Sequence, residues 1–183
     1  TKQIFKPPHI NTNLHENKSQ LTLYYHNIQG FVSKRHKFLN CPLSGQFDSY
    51  LFHESNLTEE HINLDNWDIA GLATRTLYHR NNESFCRGSI FGHIPEVQSQ
   101  VLDFDNPYKF EIAVIRLCTA SEELTIISAY KSPSMSCSMT DDFFSYLCEL
   151  INQINGRIAL IGDLNIVANR PFRWGETEDK FFE

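Results

Sequence analysis

Apolar and polar positions alternate along several short stretches of this chain, and each stretch stops at a polar residue. Leu21 to Tyr25 is rich in β-formers and runs into His26-Asn27-Ile28-Gln29-Gly30. Phe47 to Phe52 repeats the pattern and stops at His53-Glu54-Ser55. Three further strands are predicted at Gly88 to Ile94, Phe110 to Leu117 and Leu124 to Tyr130. The polar turn Thr119 to Glu123 joins the last two as a hairpin. Short helices are predicted at Ser33 to Leu39 and from Thr58, which precedes two acids suited to a first turn. A longer helix is predicted from Thr140-Asp141-Asp142 to Gly156, with Phe143, Phe144, Leu147, Leu150, Ile151 and Ile154 at helical spacing. Residues 157–162 form a near-continuous apolar run that predicts a strand buried on both faces. Residues 71–87 read as polar and irregular, and residues 1–20 as an extended arm. The order predicts an α/β class with a layered, two-sheet sandwich in place of a doubly wound sheet.

A chain of 183 residues with 41% hydrophobic and 21% charged residues suffices for one domain with a sizeable core, here rich in its 14 Phe. The net charge of −6 works against nucleic-acid binding, but it is unevenly placed. Residues 1–40 hold six Lys/Arg and one acid, which reads either as a solvated tail or as a basic arm able to follow a phosphate backbone. The five cysteines are odd in number and show no C-x-x-C pair, which suggests neither a disulfide framework nor a zinc knuckle and points to reduced thiols in an intracellular protein, nuclear or cytoplasmic. No apolar run approaches 18 residues, so no membrane helix is expected.

The residues that stop the strands carry the candidate chemistry. Asn27, Glu54, Tyr130, Asp163 and Asn165 follow directly on apolar strands, and a sheet can gather such strand ends into one pocket. A hard divalent cation such as Mg²⁺ needs only one or two carboxylates, an amide oxygen and water, and Glu54, Asn27 and Asp163 offer that set.

The motifs around these residues are "YYHNIQG", "FDSYLFHESNL", "LTIISAYKSP", "IALIGDLN" and "RWGET". In order and spacing they resemble those of the endonuclease/exonuclease/phosphatase family, in particular the apurinic-like endonuclease domains of non-LTR retrotransposons. The resemblance implies that family's two facing mixed sheets with outer helices over residues 21–183, ending soon after the G-D-x-N motif. It further implies a Mg²⁺- or Mn²⁺-dependent phosphodiesterase that nicks DNA, gripping its phosphate backbone. Glu54 and Asn27 would hold the metal. Asp163 would activate water, and Asn165 and Tyr130 would hydrogen-bond the phosphate. The stretch "CRGSIFGHI" departs from the glycine-rich strand of retrotransposon members.

The family's Ser-Asp-His motif does not occur, and all eight His precede position 94. His26 and His53 each sit one place before a site residue, so strand alternation predicts that both face away from the site. Two expectations follow: a chain whose sandwich is completed by a C-terminal half or a partner chain, and, as the alternative function, a catalytically silent remnant acting as a binding or scaffolding module.

Overall fold

The computed structural model describes residues 21–39, 46–63, 72–78, 87–118 and 123–166. The predicted arm, the polar turn after residue 118 and the "RWGET" stretch lie outside them.

The alternating stretches become the centres of two mixed four-stranded sheets. The first has the order β1 (Leu23–Asn27), β2 (Ser49–His53), β4 (Ser89–His93), β3 (Ala73–Tyr78). The second has the order β5 (Gln98–Leu102), β6 (Glu111–Cys118), β7 (Glu123–Tyr130), β8 (Ile158–Asp163). In each sheet one outer pair is parallel, β1 with β2 and β7 with β8, while the other pairs are antiparallel. The helices are α1 (Phe31–Leu39), α2 (Glu59–Asn63) and α3 (Cys137–Gln153).

Strand alternation divides the apolar residues among three layers. Phe91 and Ile94 from the first sheet meet Ile115, Leu117 and Ile126 from the second in the layer between the sheets. Tyr50, Phe52 and Ile90 turn the other way and pack with Phe31 of α1. Ile112, Val114 and Ile127 cover Phe143, Phe144 and Leu147 of α3. The second sheet is therefore as wide as the first, and the inner faces close on one another.

Four expectations need correction. Residues 73–78, read as irregular, form β3, and β5 was not predicted; both are edge strands. An edge strand needs less apolar sequence, and "QSQVL" in β5 shows it. The apolar run of β8 is half-buried at every position, and among the described residues β8 pairs with β7 alone. Helix α3 starts a turn earlier than predicted: Ser136 is its N-cap and accepts a hydrogen bond from the Met139 N–H at 3.3 Å.

Candidate functional site

Register alone gathers the polar strand ends. Asn27 of β1 lies beside His53 of β2, one residue before Glu54. In the second sheet Glu111 lies beside Tyr130, and Tyr130 beside Asp163, so three neighbouring strands end on ionisable groups. Two side-chain hydrogen bonds then cross between the sheets. The Asn27 amide donates to Asp163 Oδ2 at 3.0 Å, and the Tyr130 hydroxyl donates to Glu54 Oε1 at 2.8 Å. Asn165 joins through its backbone N–H, which donates to Asp163 Oδ1 at 3.0 Å, while its side-chain amide donates to the Lys131 carbonyl at 2.8 Å. All five residues singled out in the sequence are thus linked at one end of the sandwich.

Local backbone supports this convergence. Glu54 and Asn165 both occupy the left-handed region, at φ 52° and 48°. Asn tolerates that conformation, but Glu pays about 1–2 kcal/mol for it. The turn at Glu54 is held because its carbonyl accepts from the Gly30 N–H at 2.7 Å, and Ser55 N–H donates to the Gly88 carbonyl at 2.9 Å. Gly162 lets β8 approach β7, since a Cβ there would collide with the Ala129 carbonyl oxygen.

The same turn overturns one expectation. Alternation put His53 away from the site, but its ring is fully buried between the sheets, 5.9 Å from the Tyr130 ring. Its Nε2 pairs with the Ser128 hydroxyl of the opposite sheet at 2.8 Å. Strict alternation would send Glu54 to the opposite face, toward α1; the left-handed turn redirects its carboxylate to Tyr130 instead. His26 is exposed, as alternation predicts.

The site concentrates negative charge. Burial, then the charges of Asp163, Glu54 and Glu111, push the Tyr25 phenol up to about 12. Burial first, then the hydrogen bond to Glu54 and that carboxylate's charge, raise the Tyr130 phenol far above its usual range; Arg87 opposes the rise. Tyr130 therefore stays a proton donor at neutral pH. Burial lowers His53 to about 4, against a smaller pull from Asp163.

The residues missed in sequence are Tyr25, Arg87 and Glu111, while His53 was placed on the wrong face. Glu111 is 2% exposed, and its Oε2 accepts from the Arg87 and Gly88 N–H groups at 2.8 and 3.3 Å. Only Tyr25 had a usable signal, two places before Asn27 and so on the same strand face.

The donor set suits a hard cation. The Asn27 Oδ1 is buried with no hydrogen-bond partner, which leaves an acceptor that a hydrogen-bond donor or a cation would satisfy. Among the described residues no group of three or more His, Cys, Asp or Glu side chains could hold a metal ion. One or two carboxylates with an amide oxygen and water is instead the sparse shell that Mg²⁺ accepts.

No protein-family model matches the chain, and no curated protein matches it by sequence. Solved structures do. The endonuclease domain of TRAS1, a telomere-specific non-LTR retrotransposon, superposes with a TM-score of 0.59 at 10% identity, over 88% of this chain and 69% of that one. The AP endonuclease LMAP from Leishmania major gives a TM-score of 0.60 at 13% identity, over 85% and 58%. This chain has the endonuclease/exonuclease/phosphatase fold. A D. rerio TDP2 complexed with single-strand DNA product has it too, with a TM-score of 0.58 at 12% identity, over 82% of this chain and 62% of that one. The endonuclease/exonuclease/phosphatase sandwich is thus matched over most of this chain but only about 58–69% of those three structures. Among the described residues no helix is long and apolar enough to cross a membrane.

Proposed function

We propose that this chain carries the metal-binding part of a Mg²⁺- or Mn²⁺-dependent phosphodiesterase that nicks DNA. The observation that supports it best is the pair of hydrogen bonds between the sheets, Asn27 to Asp163 and Tyr130 to Glu54, formed beside an unpartnered Asn27 Oδ1. The structural neighbours support the substrate class: two are named endonucleases, and a third was solved with a single-strand DNA product.

In this reading Glu54 and Asn27 hold the cation. A bound divalent ion would polarise the scissile phosphate and stabilise the leaving oxygen. Asp163 has each carboxylate oxygen fixed by an N–H donor, so it is oriented in advance to take a proton from attacking water. Tyr130 has a single proton, now given to Glu54, and it serves either that carboxylate or a phosphate oxygen. Asn165 uses one amide N–H on Lys131 and keeps a second for the substrate.

A second reading, a catalytically silent binding or scaffolding module, is favoured by the net charge of −6, which works against holding a nucleic-acid substrate. The two separate in a plasmid assay. Conversion of supercoiled to nicked DNA that requires Mg²⁺ and disappears in Asp163→Asn supports the enzyme. DNA binding with no nicking at any Mg²⁺ concentration, by this chain and by one continued past residue 183, supports the silent module.

A further inference from the structure

The start of β4 is tied into the candidate site by its backbone. Arg87 N–H donates to Glu111 Oε2 at 2.8 Å, and the Arg87 carbonyl accepts from the Asn56 N–H at 2.9 Å. Gly88 repeats the arrangement, its N–H donating to the same Glu111 oxygen at 3.3 Å and its carbonyl accepting from Ser55 N–H at 2.9 Å. Ser55 and Asn56 follow Glu54 directly, and Glu111 is the register partner of Tyr130. Arg87 is thus fixed between the loop that carries Glu54 and the strand end beside Tyr130. Its residue surface is exposed.

We propose that Arg87 forms a phosphate-binding subsite at the edge of the candidate metal site, its guanidinium taking oxygens of a nucleic-acid phosphodiester. The inference rests on the phosphodiesterase reading and names a residue that reading did not use. A backbone held by four hydrogen bonds leaves only side-chain freedom to be lost on binding. A guanidinium presents paired N–H donors that match phosphate oxygens, which an ammonium does not. The need for such a cation is local. Glu111, Glu54 and Asp163 stand together at this end of the sandwich, through the register of β6, β7 and β8 and the bond from Tyr130 to Glu54, so a phosphodiester entering here meets several negative charges. The Arg87 backbone is bonded to Glu111, the register partner of Tyr130, whose phenol is bonded to Glu54. A solvated surface arginine would have neither the backbone ties nor this neighbour.

The test uses the full chain and a fluorescein-labelled single-stranded oligodeoxynucleotide, with anisotropy read in EDTA at several salt concentrations. Arg87→Ala should bind about tenfold more weakly, the usual cost of one hydrogen bond to a charged group. The slope of log K against log salt should fall by about 0.7, one phosphate contact on a single strand. Arg87→Lys should keep the slope and lose part of the affinity. Thermal melts of all three proteins report whether the fold is intact. An Arg87→Ala protein that folds and binds with wild-type affinity and slope overturns the subsite alone. Wild-type protein that binds no DNA at low salt overturns the subsite together with the DNA reading. Failure of the phosphodiesterase reading looks different: binding with the Arg87-dependent slope, but equal Mn²⁺ stabilisation of wild type and Glu54→Gln.

Discussion

Acid should weaken this fold through one buried ring. His53 is 0% exposed, and burial lowers it from 6.5 to about 4. Between those values the unfolded chain binds a proton at this position and the folded chain does not. Stability therefore rises with pH across the window, is unaffected by His53 above about 6.5, and falls progressively as pH drops toward 4. One proton is worth about 1.4 kcal/mol per pH unit, so the whole window amounts to about 3 kcal/mol. That is a large share of the 5–15 kcal/mol typical of a folded domain. The perturbation to compare is His53→Gln, which keeps a polar partner for Ser128 and does not titrate over this range. Urea unfolding of both proteins at intervals from pH 4 to 7.5 gives the two pH slopes. Carboxylates contribute to both proteins alike, so the difference isolates His53. Wild type should lose about 3 kcal/mol more than the variant between pH 6.5 and 4, whatever the variant's stability at neutral pH. Parallel curves would refute the buried neutral ring.

Two further substitutions probe how the site is seated. Gly162→Ala places a methyl group against the Ala129 carbonyl, and β7 and β8 must separate to admit it; a loss of about 1–3 kcal/mol or more is expected in denaturant unfolding, with plasmid nicking falling as Asp163 moves. Tyr130→Phe removes the hydroxyl held by Glu54 at 2.8 Å; stability should fall by about 1 kcal/mol, while kcat for nicking falls far more than KM rises, which steady-state kinetics on plasmid would show.

Most of the sandwich was legible because its central strands alternate cleanly and its main helix keeps its period. Two of the outer strands were not, since β3 and β5 carry polar sequence such as Gln98-Ser99-Gln100, whereas the outer strands β1 and β8 kept an apolar pattern and were. The start of α3 was displaced because Asp141 and Asp142 resemble a capped first turn, whereas Ser136 makes the actual cap. At the site, the five residues that end apolar strands were found, because a polar residue at the end of such a strand is visible in a linear pattern. Glu111 and Arg87 were not, because what ties them to the site is contact between segments 23 and 24 residues apart. His53 was misplaced by a rule that holds only inside a strand, and β2 ends at His53 itself. The left-handed φ at Glu54 has no signature in a Glu residue, so this reversal could not be read in advance.

The central claim is that Glu54 belongs to a cation site, and a Mn²⁺ titration followed by melting temperature tests it most directly. Glu54→Gln keeps an acceptor for the Tyr130 hydroxyl and removes only the charge. Wild type should gain stability in proportion to the logarithm of Mn²⁺ once the concentration exceeds a weak Kd. Glu54→Gln should need far more Mn²⁺ for the same gain, or show none. Equal rises in melting temperature for the two proteins across the titration would contradict the account.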